Sequence, residues 1–297
     1  MYGLVVKNVK KRKTTKKAPS LAAVFLIFIA GIGVMLYPFA GNRYNQWLQD
    51  RLIEEYDHSV AAISPEVLET EREACMRYNE GLLGNVVLTD PFDVEAMNQA
   101  TEVYGERLNL NGDGVMGYLE IPKINVKLAI YHGTDSKTLE KGVGHLENTS
   151  LPIGGKSTHA VLSAHTAHAN ATLFNHLTDL EEGDTFFLTV LDDILAYQVD
   201  RIKVVVPEDT GGLMIDRDED YVTLVTCTPY GVNSHRLLVR GTRIPYVEEA
   251  AVIRAENGRP YQSVILPISL FALLLVIFII VTKRRSRRKE VKNEKEK

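Results

Sequence analysis

Two long uncharged apolar runs constrain this chain more than any other feature. Leu21 to Ala40 reads LAAVFLIFIAGIGVMLYPFA, and Tyr261 to Thr282 reads YQSVILPISLFALLLVIFIIVT. At ~1.5 Å per helical residue, each is long enough to cross ~30 Å of hydrocarbon. Lys10-Lys11-Arg12-Lys13 and Lys16-Lys17 precede the first; Lys283-Arg284-Arg285 and Arg287-Arg288-Lys289 follow the second. The positive-inside rule then assigns both basic tails, 1–18 and 283–297, to the cytoplasm. The intervening segment is expected outside the cell membrane, tethered by transmembrane helices at 19–40 and 261–282. A cleaved signal peptide is the alternative for the first run. It is disfavoured by the long apolar core and by Tyr37-Pro38-Phe39-Ala40, which lacks a small-x-small site.

The charge distribution agrees. The formal net charge of −4 averages +7 over 1–18, −17 over 41–262 and +6 over 283–297. Nucleic-acid partners are excluded, because they call for a basic body rather than an acidic one.

The external part divides in two. Residues 41–105 read as helical: Tyr44, Trp47, Leu48, Leu52, Tyr56 and Val60 recur at three- and four-residue steps. Ser64-Pro65 then starts another helix, with Leu68, Cys75, Met76 and Leu82 in helical spacing until Gly81 and Gly84 break it. Asp90-Pro91-Phe92 follows as an extended or turn segment. Over 106–250 the period becomes two. GYLEIPKINVKLAIY, THAVLSAH, TFFLTVL, LAYQVDRIKVVV, YVTLVTC and HRLLVRG read as strands between Gly, Asp and Asn turns, with a brief helix at 171–177. Many short strands in ~140 residues predict a mainly β barrel or sandwich around one core.

Two cysteines are candidates for chemistry. Cys75 falls on an apolar helix face and reads as inert, whereas Cys227 ends a strand, where a rigid scaffold can present a nucleophile. A disulfide between them is the extracellular alternative. A thiol with a pKa near ~8.5 is only slightly ionised at neutral pH and needs a base or a positive neighbour. The strand after the next turn brings either His235 or Arg236 beside Cys227, not both, since neighbours point to opposite faces. His159, His165 and His168 form a further group. His165 ends an apolar run and is the better-specified imidazole partner, near in space though far in sequence; a zinc site on His165 and His168 is the weaker reading.

These residues carry a resemblance. Thr223-Leu224-Val225-Thr226-Cys227, with Arg236 nine residues later, resembles the signature of sortases, cysteine transpeptidases of Gram-positive cell surfaces. Ser163-Ala164-His165 is similar to the sortase histidine segment, with Ala164 where many relatives have Gly. Cys227 to Arg236 and Asp90-Pro91-Phe92 resemble class C, the pilus-assembling sortases, whose lid motif covers the active site. A second membrane span is also a habit of that class.

The resemblance implies a closed eight-stranded β-barrel with an N-terminal helical and lid region. It assigns catalysis to Cys227, His165 and Arg236, selecting Arg236 over His235, and the lid to Asp90, Pro91 and Phe92. Its implied partners are pilins and other surface proteins with LPxTG-like signals, an acceptor lysine amine and the membrane. No cofactor or metal is implied. The alternatives are a housekeeping sortase that anchors proteins to cell-wall peptide, and a non-enzymatic tethered scaffold. Asn109 to Glu120 fits a calcium-loop pattern, but Gly117 to Pro122 reads as a strand, so a Gly/Asn turn is expected there.

Overall fold

The computed structural model describes residues 21–83, 88–93, 102–166 and 171–247. The second apolar run, both basic tails and His168 lie outside them.

Helix α1 spans Leu21–Ala62 and contains Pro38; α2 spans Pro65–Gly81. Among the described residues no helix is long and apolar enough to cross a membrane. The first flanking transmembrane helix expected from sequence, at 19–40, is thus not supported by the structure, and the second, at 261–282, lies outside the described residues. The first apolar run is instead the leading part of one 42-residue helix. A change from apolar to charged residues alters what surrounds a helix, not its backbone hydrogen bonding, so nothing at residue 40 ends it.

Helix α2 starts as expected, with Ser64 at its N-cap and Pro65 at the first position, where the missing N–H is not needed. Its buried residues are Leu68, Cys75 and Asn79, while Met76 is exposed. On α1 the buried side is Gln49, Ile53, Tyr56 and Val60. Tyr44, Trp47 and Leu48, expected on the packed face, are exposed. Polar side chains decide this docking. Gln49 donates to Lys141 O at 2.7 Å and accepts from Ala129 N at 2.8 Å. Tyr56 Oη donates to Met116 O and accepts from Leu191 N. Asn79 accepts from Leu151 N at 2.7 Å and donates to Leu151 O at 3.2 Å.

The barrel strands are β1 Val115–Ile121, β2 Val126–His132, β3 Val143–His145, β4 Thr158–Ser163, β5 Thr185–Val190, β6 Asp193–Val205, β7 Asp220–Thr228 and β8 His235–Ile244. They close in the order β1-β2-β3-β4-β7-β8-β6-β5. The eight-stranded closed barrel is therefore as expected. Short helices α3, Glu102–Glu106, and α4, Ser136–Lys141, precede β1 and β3. Leu119, Ile130, Leu162, Phe186, Leu188, Leu224 and Val239 belong to the main core cluster.

Three local expectations change. The run 117–131 is two strands, because Pro122 lacks a donor and Asn125 takes a left-handed conformation (φ 52°) between them. Residues 171–177 form turns leading into a 3-10 turn at Leu177–Asp179. Their amides are used elsewhere: Thr172 N donates to Asn42 Oδ1 and Phe174 N to His165 O. The calcium-like segment is a turn closed by Asn109 Oδ1, which accepts from Gly114 N, and its final Glu120 stands on β1, paired with Lys127 at 2.6 Å. Gly117 lets β1 pass β5 closely: a Cβ there would clash with Thr189 O.

Candidate active site

Three strand ends converge. Strands β4 and β7 run parallel, in register from Thr158↔Asp220 to Ser163↔Val225. The alignment continues past the strand: Ala164 N donates to Val225 O at 3.2 Å, and Thr226 Oγ1 donates to Ala164 O at 2.8 Å. Two more residues along this register put His165 level with Cys227. On the other side, β7 and β8 are antiparallel with Cys227↔Arg236 as a direct pair. The turn is closed by Pro229 O, which accepts from Val232 N and Asn233 N. Asn233, at φ 59°, helps to fix that register. His235 pairs with Thr228, one step beyond, so Arg236 is the β8 residue beside Cys227.

Alternation puts Val161 and His165, Val225 and Cys227, and Arg236 and Leu238 on one barrel face. It is the outer face. Val161, Val225 and Leu238 cluster with Leu146 and Leu213, separately from the main core, and Leu88, Phe92 and Val205 pack against them. One wall is the β6–β7 connection. It is held by His159, which donates from Nδ1 to Met214 O at 2.8 Å and accepts at Nε2 from Thr223 Oγ1 at 2.7 Å. Burial lowers the His159 pKa to about 4 and keeps it neutral in this role. His159 is therefore a structural histidine.

The Asp90 segment closes this groove. Arg236 Nε and Nη2 donate to the two Asp90 carboxylate oxygens at 2.8 and 2.6 Å, a bidentate pair, and both side chains are largely buried. Arg236 Nη1 also donates to Asn233 O and His235 O. The Phe92 ring centre lies 4.9 Å from Arg236 Cζ and 5.8 Å from the His165 ring. Phe92 therefore spans between the two groups that flank Cys227. Asp93 N donates to Asp90 O, and this turn holds Pro91 between the two contact residues.

Both cysteines are free thiols, so the disulfide alternative is not realised. Cys227 is half-buried, and its pKa is raised: burial pushes it up, Arg236 pulls it down and Asp90 pushes it up again. In this arrangement burial and Asp90 favour the neutral thiol against the pull of Arg236, and Arg236 is occupied by a carboxylate of the chain itself. Among the described residues no group of three or more His, Cys, Asp or Glu is placed to hold a metal. Sequence reasoning missed the Thr226–Ala164 bond and the His159–Thr223 bond; Thr226 and His159 were visible in the quoted motifs, but only the parallel β4–β7 pairing gives them a purpose.

A closed barrel presenting a thiol between an imidazole and a guanidinium at the ends of neighbouring strands defines a cysteine acyl-transfer scaffold. The Sortase domain family matches residues 119–244, and the chain belongs to the sortase family of cysteine transpeptidases. Its solved neighbours place it with the class C sortases. Sortase C-1 from Actinomyces oris is 47% identical, covering 61% of this chain and 100% of that one, with a TM-score of 0.58. Streptococcus pneumoniae sortase C, described with pilin substrate specificity, is 43% identical over 66% of this chain and 97% of that one, with a TM-score of 0.61. Bacillus subtilis (strain 168) Sortase D is 34% identical over 131 residues, 43% of this chain and 63% of that relative. The match thus spans a little under two thirds of that curated relative's length.

Proposed function

We propose that this chain cleaves an LPxTG-like sorting signal after Thr and transfers the acyl group to a pilin lysine amine. The observation that carries the reading is the side-by-side placement of His165, Cys227 and Arg236 under a lid that occupies Arg236 with a carboxylate. Pilin as substrate draws further support from the description of the Streptococcus pneumoniae relative.

In this mechanism the lid leaves first, freeing the guanidinium. The Cys227 thiolate attacks the Thr carbonyl carbon. The oxyanion of the tetrahedral adduct receives two donors from the planar Arg236 fork. Collapse breaks the Thr–Gly C–N bond, and protonated His165 gives its proton to the departing Gly amine, leaving a Cys227 thioester. The lysine amine then attacks that thioester, His165 takes its proton, and the thiolate departs as the isopeptide bond forms. The thioester conserves the acyl activation, so no external energy source enters.

The large exposed apolar residues of α1, Leu26, Ile29, Val34, Leu36, Tyr37 and Phe39, together with the flanking basic tails, support a membrane tether with the barrel outside the cell. The housekeeping alternative shares the chemistry and differs in the amine used.

Incubating the Asp90→Ala, Phe92→Ala chain with a pilin subunit carrying its sorting signal tests the acceptor. A ladder of covalent oligomers is expected, lost with Cys227→Ala. Transfer to a wall-peptide amine alone, or release of hydrolysed monomer alone, would overturn the pilin reading.

A further inference from the structure

Ser163 is fully buried, and its hydroxyl has no hydrogen-bond partner among the described residues. It stands at the end of β4, opposite Gly144 on β3 and level with Val225 on β7. Neither neighbour has a polar side chain to offer. Buried hydroxyls elsewhere on these strands are satisfied: Thr226 donates to Ala164 O, and Thr223 pairs with His159. Strand alternation puts Ser163 on the outer face between Val161 and His165. Phe92 packs on the cluster that contains Val161 and Val225, and its ring meets His165. The orphan hydroxyl therefore shares the groove face with Val161, Val225 and His165, two residues short of the level of His165 and Cys227.

An unpaired buried hydroxyl is unfavourable, and replacing it by a methyl of similar shape is neutral or stabilising. Its presence here has a purpose only if something pairs with it once the lid is gone. The side chain offers one donor and two acceptor positions. It sits two residues, ~6.6 Å, back from His165 along the strand. That distance equals two residues of an extended peptide laid in the groove.

We infer that Ser163 is a substrate-binding residue. With the lid displaced, its hydroxyl bonds a main-chain group of the sorting signal, one or two residues upstream of the Thr carbonyl. Phe92 packs on the apolar cluster of this face in the closed state, and the peptide that displaces it brings a partner for the hydroxyl. The inference rests on the sorting-signal reading and adds the contact that holds the signal's acyl side.

The test compares the full chain carrying Asp90→Ala and Phe92→Ala with the same chain carrying Ser163→Ala in addition. The substrate is a Leu-Pro-Glu-Thr-Gly peptide. Losing one hydrogen bond should raise KM about fivefold to twentyfold, with kcat within twofold. The Tm should not fall, and a small thiol reagent should label Cys227 at the parent rate. That combination separates substrate contact from support of the site. An unchanged KM would overturn the inference, as would a Tm and a labelling rate that fall together. Absence of any thioacyl adduct in the Ser163 parent would overturn the sorting-signal reading itself, and this contact with it.

Discussion

Cys75 and Cys227 stand in regions built in different ways. Cys75 is on the helical arm, fully buried on α2, its Sγ 3.5 Å from Glu71 Oε1. Burial raises its pKa strongly, and the Glu71 charge adds to the effect. Cys227 is at a strand end, half-buried, with Arg236 as its cross-strand partner and a removable carboxylate on that arginine. In one place burial, with the Glu71 charge adding to it, disfavours the thiolate. In the other place the acid sits on a separate segment and pairs with Arg236, and the proposed function makes that segment a lid that substrate displaces. Reactivity here is a property of presentation, not of cysteine as such.

The sharpest way to break this contrast is to remove each thiol. Cys227→Ala should reduce turnover by at least ~10³-fold, while Cys75→Ala should leave it within twofold. Equal losses would mean that the helical arm takes part in the chemistry. Next, Arg236→Lys keeps the charge but loses the planar fork, and should cost about 10²–10³-fold in kcat. Full activity in that variant would remove Arg236 from the mechanism.

The lid gives a smaller effect with a definite sign. Asp90 raises the Cys227 pKa and Arg236 lowers it. Asp90→Ala should therefore move the midpoint of Cys227 labelling to lower pH, since more thiolate is then present near neutrality. With Phe92→Ala added, access opens too. Giving up charged hydrogen bonds of ~1.5–3 kcal/mol should speed labelling about tenfold to a hundredfold. Cys75 labelling should not change. Smaller still, Asn79→Ala strands both main-chain groups of Leu151 and should cost about 1–2 kcal/mol of stability in a denaturant titration. Turnover at 25 °C should stay within twofold, which would show that the arm supports the barrel without touching the reaction.

What could be read from the sequence follows from how local each cause is. Strand alternation and the Ser64-Pro65 start are written in neighbouring residues, so most barrel strands and α2 were legible. The site residues were reached through motifs, and pattern alone left His235 and Arg236 open; the Cys227↔Arg236 register decides between them. Strand β3 escaped notice because Val143–His145 is too short to show a period. The exposed Trp47 and buried Gln49 invert a hydrophobicity ranking. A buried amide with both its groups paired to main-chain atoms of the barrel side can outweigh an aromatic ring that meets Tyr44 and Arg51 of its own helix. Ser163 was quoted within a motif, but an orphan hydroxyl is visible only after every neighbour has been placed.

The most direct test of a switchable thiol site is intact mass after mixing the chain with a Leu-Pro-Glu-Thr-Gly peptide, with the lid native and with Asp90 and Phe92 changed to Ala. A thioacyl adduct, equal to the peptide truncated after Thr, is expected on Cys227 of the lid variant. It should be much less abundant with the native lid and absent with Cys227→Ala. An adduct that survives Cys227→Ala, or no adduct on a lid variant whose Cys227 is shown to be a free thiol, would contradict it.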